Sequence, residues 1–77
     1  MELYSIINEN GNYYIVDTNN EKVREDSDLD FIRFQLLELA ANEFHKKAVD
    51  AYNFGVCLNI HYEVHNDKIY EVKNETV

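Results

Sequence analysis

The sequence predicts a small single α+β domain, two β-hairpins flanking one long α-helix, with the helix packed on one face of an antiparallel sheet. Three observations carry this expectation. Asn10-Gly11 separates two runs rich in Tyr, Ile and Val; a stretch of strong helix formers ends at Gly55; and residues 56–65 alternate apolar with polar. The 77 residues suffice for one domain, 1–77, and a hydrophobic content of 45% is that of a chain that folds.

The first hairpin follows from its turn. Asn-Gly supplies the positive φ angles of a type I′ turn, which joins Leu3 to Asn8 with Asn12 to Thr18. A two-residue turn sets Ile7 opposite Tyr14, Ile6 opposite Ile15 and Ser5 opposite Val16. Asp17-Thr18-Asn19-Asn20 reads as a second turn, after which Glu21 to Arg24 adds a short edge strand around Val23.

Ser27, with Asp30 three residues later, fits a capping-box-like helix start, and acidic side chains in the first turn suit the helix dipole. Leu, Gln, Glu, Ala and Lys then run through Asn53 without Gly or Pro, and Gly55 fits the C′ position. About 25 helical residues span roughly 37 Å. Two apolar stripes run along this helix. One comprises Leu29, Ile32, Leu36, Leu39 and Ala40; the other comprises Phe34, Leu37, Ala41, Phe44, Ala48 and Ala51 or Tyr52. One sheet face covers only part of that arc, so Phe34, Leu37, Phe44 and Tyr52 are expected to form an oligomer seam or a partner contact.

Val56 to His65 reads as a half-buried strand, with Val56, Leu58, Ile60, Tyr62 and Val64 on one face. Lys68 to Asn74 is its expected partner. A three-residue loop, Asn66-Asp67-Lys68, matches Val64 with Tyr70 and Tyr62 with Val72, keeping apolar residues together. A two-residue Asn66-Asp67 turn instead sets Tyr62 against Glu71 and Ile60 against Lys73. The first register is the expectation, since a one-residue slip reverses every side chain.

Charge narrows the function. Fifteen acidic against seven basic residues give a net charge of −8, and the basic residues nowhere form a patch longer than Lys46-Lys47. Such a surface repels phosphates, so neither nucleic acid nor an anionic membrane is an expected direct partner. One cysteine, Cys57, suits a reducing compartment, and no stretch reads as a signal peptide or membrane span. The expectation is a soluble, cytoplasmic protein.

No catalytic constellation emerges. Asp26-Ser27-Asp28-Leu29-Asp30 has the opening spacing of a calcium loop, but Phe31 stands where Gly is needed and Leu37 where the closing Glu belongs. His61 and His65 on one strand lie about 13 Å apart, too far to share an ion. Cys57 has no base nearby on its strand face, and no glycine-rich phosphate loop is present. The chain reads as a non-enzyme without cofactor or metal.

What remains is adhesive surface. Glu25, Asp26, Asp28 and Asp30 form the densest acidic cluster, suited to a basic partner and otherwise explained as a solvated helix start. Six tyrosines exceed what so thin a core hides; Tyr13 and Tyr70 are the expected exposed aromatic contacts. Ten asparagines and no proline or tryptophan match an AT-rich coding sequence. In size, acidity and lack of catalytic groups the chain resembles small phage or mobile-element proteins that block a host enzyme by occupying its surface, a likeness of character that rests on no motif. It implies a protein-binding inhibitor, in the host cytoplasm if phage-encoded, whose partner is a basic nucleic-acid-binding protein. The alternative from a different class is a structural or accessory homodimer paired through the helix seam.

Overall fold

The computed structural model describes residues 1–74. Five strands and one helix follow in the order β1 (Glu2–Glu9), β2 (Asn12–Val16), β3 (Lys22–Asp26), α1 (Leu29–Phe54), β4 (Ile60–His65) and β5 (Lys68–Lys73). The strands form one antiparallel sheet ordered β3-β2-β1-β5-β4, and α1 packs across it. This is the α+β architecture that the hairpin and helix signals predict. The two hairpins meet edge to edge through β1 and β5, which places β1 at the centre and leaves β3 and β4 as edges.

The first hairpin has the expected register: Ser5 faces Val16, Ile6 faces Ile15 and Ile7 faces Tyr14. Asn10 and Gly11 hold φ values of 53° and 83°, which Asn tolerates and Gly adopts freely. The edge strand β3 forms as well, starting one residue and ending two residues later than the expected Glu21 to Arg24, with a bulge opposite Ile15 and Val16.

The second hairpin corrects the sequence expectation. Asn66 and Asp67, with φ of 52° and 60°, make a two-residue turn, so Val64 faces Ile69, Tyr62 faces Glu71 and Ile60 faces Lys73. Matching apolar to apolar misjudged this register because Glu71 is satisfied on the helix side of the sheet. Its carboxylate accepts from the Tyr62 hydroxyl at 3.3 Å and lies 3.8 Å from Lys47 Nζ on α1. Burial beside that carboxylate pushes the Tyr62 hydroxyl up to about 12. The register also delivers Ile69 to the core, fully buried.

β4 is shorter than the alternation of residues 56–65 predicts. Among the described residues the β4–β5 ladder starts at Ile60, opposite Lys73, with one further bond in which Asn74 N–H donates to the Asn59 carbonyl at 2.9 Å. Val56 and Cys57 lie outside the ladder and are exposed. Alternation marks which face a residue would take; a partner strand is what makes the ladder.

α1 begins one residue later than expected. Asp28, not Ser27, is the N-cap: its backbone is extended and its Oδ1 accepts from Asp30 N–H at 2.9 Å and from Phe31 N–H at 3.4 Å. Asp26 Oδ1 in turn accepts from Asp28 N–H at 2.8 Å, fixing the bend from β3 into the helix. Gly55 closes the helix in the left-handed region at φ 68°.

The core is small. Ile15, Ile32, Leu36, Ala40 and Ile69 form one buried cluster, with Leu3, Tyr4, Ile6, Tyr13, Val23, Leu29, Leu39 and Tyr62 packed around it. All buried helical residues fall between Ile32 and Ala40. A bidentate pair fastens this half of the helix to the β4–β5 turn: Arg33 Nε donates to Asp67 Oδ1 at 2.8 Å and Arg33 Nη2 to Asp67 Oδ2 at 3.2 Å. The guanidinium holds the Asp67 carboxyl below its ordinary range. The far half of α1 has less to rest on, and the molecule is correspondingly elongated, 46 Å by 24 Å by 22 Å.

Candidate interaction surface

Spacing on α1 decides which side chains meet the sheet. Ile32, Leu36 and Ala40 recur every fourth residue and are buried, so their side of the helix faces the strands. Roughly half a turn away, on the side remote from the sheet, a second line runs Phe31, Phe34, Glu38, Ala41, His45, Val49 and Tyr52, with all seven exposed. Its large apolar members are open to solvent: Phe31 53%, Phe34 58%, Val49 42% and Tyr52 86%. Phe31 and Phe34 lie side by side with ring centroids 6.4 Å apart.

The expected seam divides on inspection. Phe34 and Tyr52 lie on this outer line and Leu37 flanks it, half exposed. Phe44 turns toward the sheet and meets Tyr62 of β4 edge-on, ring centroids 6.0 Å apart. It closes one side of a shallow groove of about 340 Å³ between helix and β4, lined by Ala40, Ala41, Phe44, His61 and Tyr62. The structure therefore joins Phe34 and Tyr52 with two residues outside the predicted seam, Phe31 and Val49. Each stands three residues before a predicted member, Phe31 before Phe34 and Val49 before Tyr52, a helical spacing that the two stripes do not include.

The acidic cluster has largely local employment. Asp26 and Asp28 are helix-start acceptors, and Asp30 lies beside Arg33, with Arg33 Nη1 3.9 Å from Asp30 Oδ1. Glu25 on β3 and Asp30 are the two members whose carboxylates are not used as caps, and both are exposed. The expected aromatic contacts divide as well, Tyr13 turning inward and Tyr70 lying on the uncovered face. Tyr13 packs against the core and Tyr70 is half-buried beside His65, ring centroids 6.0 Å apart. Strand direction explains both, since Tyr13 shares the helix-facing side with Ile15, and Tyr70 follows the buried Ile69 onto the opposite face.

That opposite face, which no helix covers, carries a short polar chain. Glu63 receives His61 Nε2 at 2.6 Å and His65 Nε2 at 2.7 Å, and His61 Nδ1 meets Asn74 Oδ1. These contacts with Asn74 and Glu63 raise the His61 imidazole above its ordinary value, and His65 and His61 together lower the Glu63 carboxyl. Both histidines spend a ring nitrogen on the same carboxylate. Among the described residues no group of three or more His, Cys, Asp or Glu side chains is placed to hold a metal ion, and no helix is long and apolar enough to cross a membrane.

No protein-family description, curated protein or solved structure matches the chain at a significant level.

Proposed function

We propose that this chain is a non-catalytic protein-binding module whose contact surface is the outer face of α1. One observation carries the reading: Phe31, Phe34, Val49 and Tyr52 stand exposed in one line, on the side of the helix that the sheet does not cover. Large aromatic side chains concentrated on one rigid element are the composition of an interface centre, and Phe and Tyr are enriched there. Scattered single apolar residues on a surface carry no such meaning; here they fall in two pairs, Phe31 with Phe34 and Val49 with Tyr52, on one face of one helix.

The inhibitor form of this reading adds charge. A net −8 together with the exposed carboxylates of Glu25 and Asp30, the latter only loosely paired with Arg33 at 3.9 Å, supports occupation of a basic surface on a host nucleic-acid-acting protein. The accessory homodimer form draws on the helix row alone. A cytoplasmic setting, in a host cell if the gene is carried by a phage or mobile element, accords with the lone exposed Cys57.

The experiment compares capture by three immobilised proteins: the unaltered chain, Phe34→Gln with Tyr52→Gln, and Glu25→Gln with Asp30→Asn. Loss of binding in the aromatic variant, at unchanged circular dichroism, is the expected result. Loss confined to the acidic variant, with binding that falls as salt rises, points instead to charge mimicry. Equal behaviour of all three proteins contradicts the reading.

A further inference from the structure

Resting on the reading of the α1 outer face as a contact surface, we infer that its partner is a second copy of this chain, docked helix against helix in antiparallel orientation about a two-fold axis between Ala41 and Asn42. The row of exposed residues is complementary to its own reversal. An axis at that point sets Phe31 against Tyr52 of the second copy, Phe34 against Val49, Glu38 against His45, and Ala41 against Asn42, each pair occurring twice. Aromatic and aliphatic side chains meet at both ends, a carboxylate meets an imidazole further in, and the small Ala41 sits where the backbones approach most closely. A two-fold contact requires this self-complementarity, because one patch must serve both subunits.

Position and size agree. The row points away from the sheet, so a second helix reaches it without displacing a strand. Aromatic side chains of this kind cover on the order of 150–250 Å² each. At their present exposure, burying Phe31, Phe34, Val49 and Tyr52 from both copies removes at most about 1,000 Å² from water, the scale at which a specific interface begins. Antiparallel helices also bring each C-terminal end, which has no basic residue in its last turn, beside the partner helix's N-terminal half.

Two chains of charge −8 repel, so this dimer tightens as salt screens them, opposite to the behaviour of a complex with a basic partner. Sedimentation equilibrium of the full chain at micromolar to about 200 µM concentration in low and high salt reads this out. Phe34→Glu alone and Val49→Lys alone are each expected to weaken the dimer more than about tenfold. An equimolar mixture of the two variants is expected to recover it. In the mixed dimer the carboxylate introduced at position 34 of one chain faces the ammonium introduced at position 49 of the other, while the native Phe34 and Val49 meet at the opposite end. Both positions are exposed, and circular dichroism of each variant alone checks that its fold is kept.

An unaltered chain that stays monomeric throughout overturns the second copy as partner and leaves the binding-module reading standing. A dimer indifferent to Phe34→Glu places the interface elsewhere and overturns both. A mixture that stays monomeric, although each variant alone loses the dimer, overturns the antiparallel register.

Discussion

The two faces of α1 have similar apolar content and opposite fates. Ile32, Leu36 and Ala40 disappear against the sheet, while Phe31, Phe34, Val49 and Tyr52 remain in water. A helix needs only one apolar stripe to hold it to a sheet. In a chain this short the second stripe gives the isolated fold little, and the proposal is that it serves as contact surface. Burial, rather than hydrophobicity alone, separates what holds the fold together from what is available to a partner.

The sharpest break of this comparison is a pair of truncations. Leu36→Ala removes a fully buried side chain from a core of a handful of residues and should cost about 2–5 kcal/mol, enough to unfold much of the population. Phe34→Gln should change the stability of the isolated chain by no more than about 0.5 kcal/mol while weakening association. Urea unfolding at low protein concentration measures both. A large loss in Phe34→Gln would mean the outer face belongs to the fold.

Smaller effects sharpen the account of how the helix is set in place. Asp28→Ala removes the N-cap acceptor and is expected to cost about 1 kcal/mol, whereas Ser27→Ala should lie within about 0.5 kcal/mol of the unaltered protein. Asp67→Asn weakens the pair with Arg33 and should lower Tm slightly, by less at high salt because both partners are partly solvated.

The smallest expected effect is one of pH. The Glu63 carboxyl, lowered from 4.5, contributes stability that is present above that value and is lost as pH falls through its folded pKa. The His61 imidazole, raised from 6.5, contributes below that value and loses its contribution as pH rises through its folded pKa. The β4 cluster is therefore tightest between about pH 4.5 and 6.5. Amide exchange across β4 should be slowest in that window after correction for intrinsic rates, and Glu63→Gln should flatten the profile.

Much of the fold was legible because local chemistry dictated it. Asn10-Gly11 specifies a turn and hence a register, and Gly55 specifies a helix end. The register of the second hairpin was harder to read. Asn66-Asp67 is also a competent type I′ turn, but pairing by hydrophobicity outweighed it, and only tertiary contacts from Lys47 and Tyr62 make Glu71 comfortable beneath the helix. The Ser27 assignment missed by one residue because three acceptors in a row compete to cap, and the bend from β3 selects Asp28. Arg33 and Asp67 are 34 residues apart, with nothing local to couple them.

The exposed row on α1 was half legible. Phe34 and Tyr52 followed from helical spacing, but which of two stripes meets the sheet depends on the crossing of α1 over five strands, which no single-helix pattern contains. Tyr13 was misplaced for the same reason, since a strand's inward face is fixed by its neighbours, whereas Tyr70 lies half-buried on the uncovered face. Phe31 was assigned to neither stripe and lies at the end of the exposed row.

The most direct test of the central claim is residue-resolved side-chain accessibility in solution, read by NMR with a soluble paramagnetic agent, on dilute and concentrated protein. Phe31, Phe34, Val49 and Tyr52 should become protected together as concentration rises, while Ile32, Leu36 and Ala40 stay protected throughout. Outer-face side chains equally open to the agent at every concentration would overturn the second copy as partner, and Ile32 and Leu36 exposed in the dilute folded chain would contradict the division of the helix into a structural and a free face.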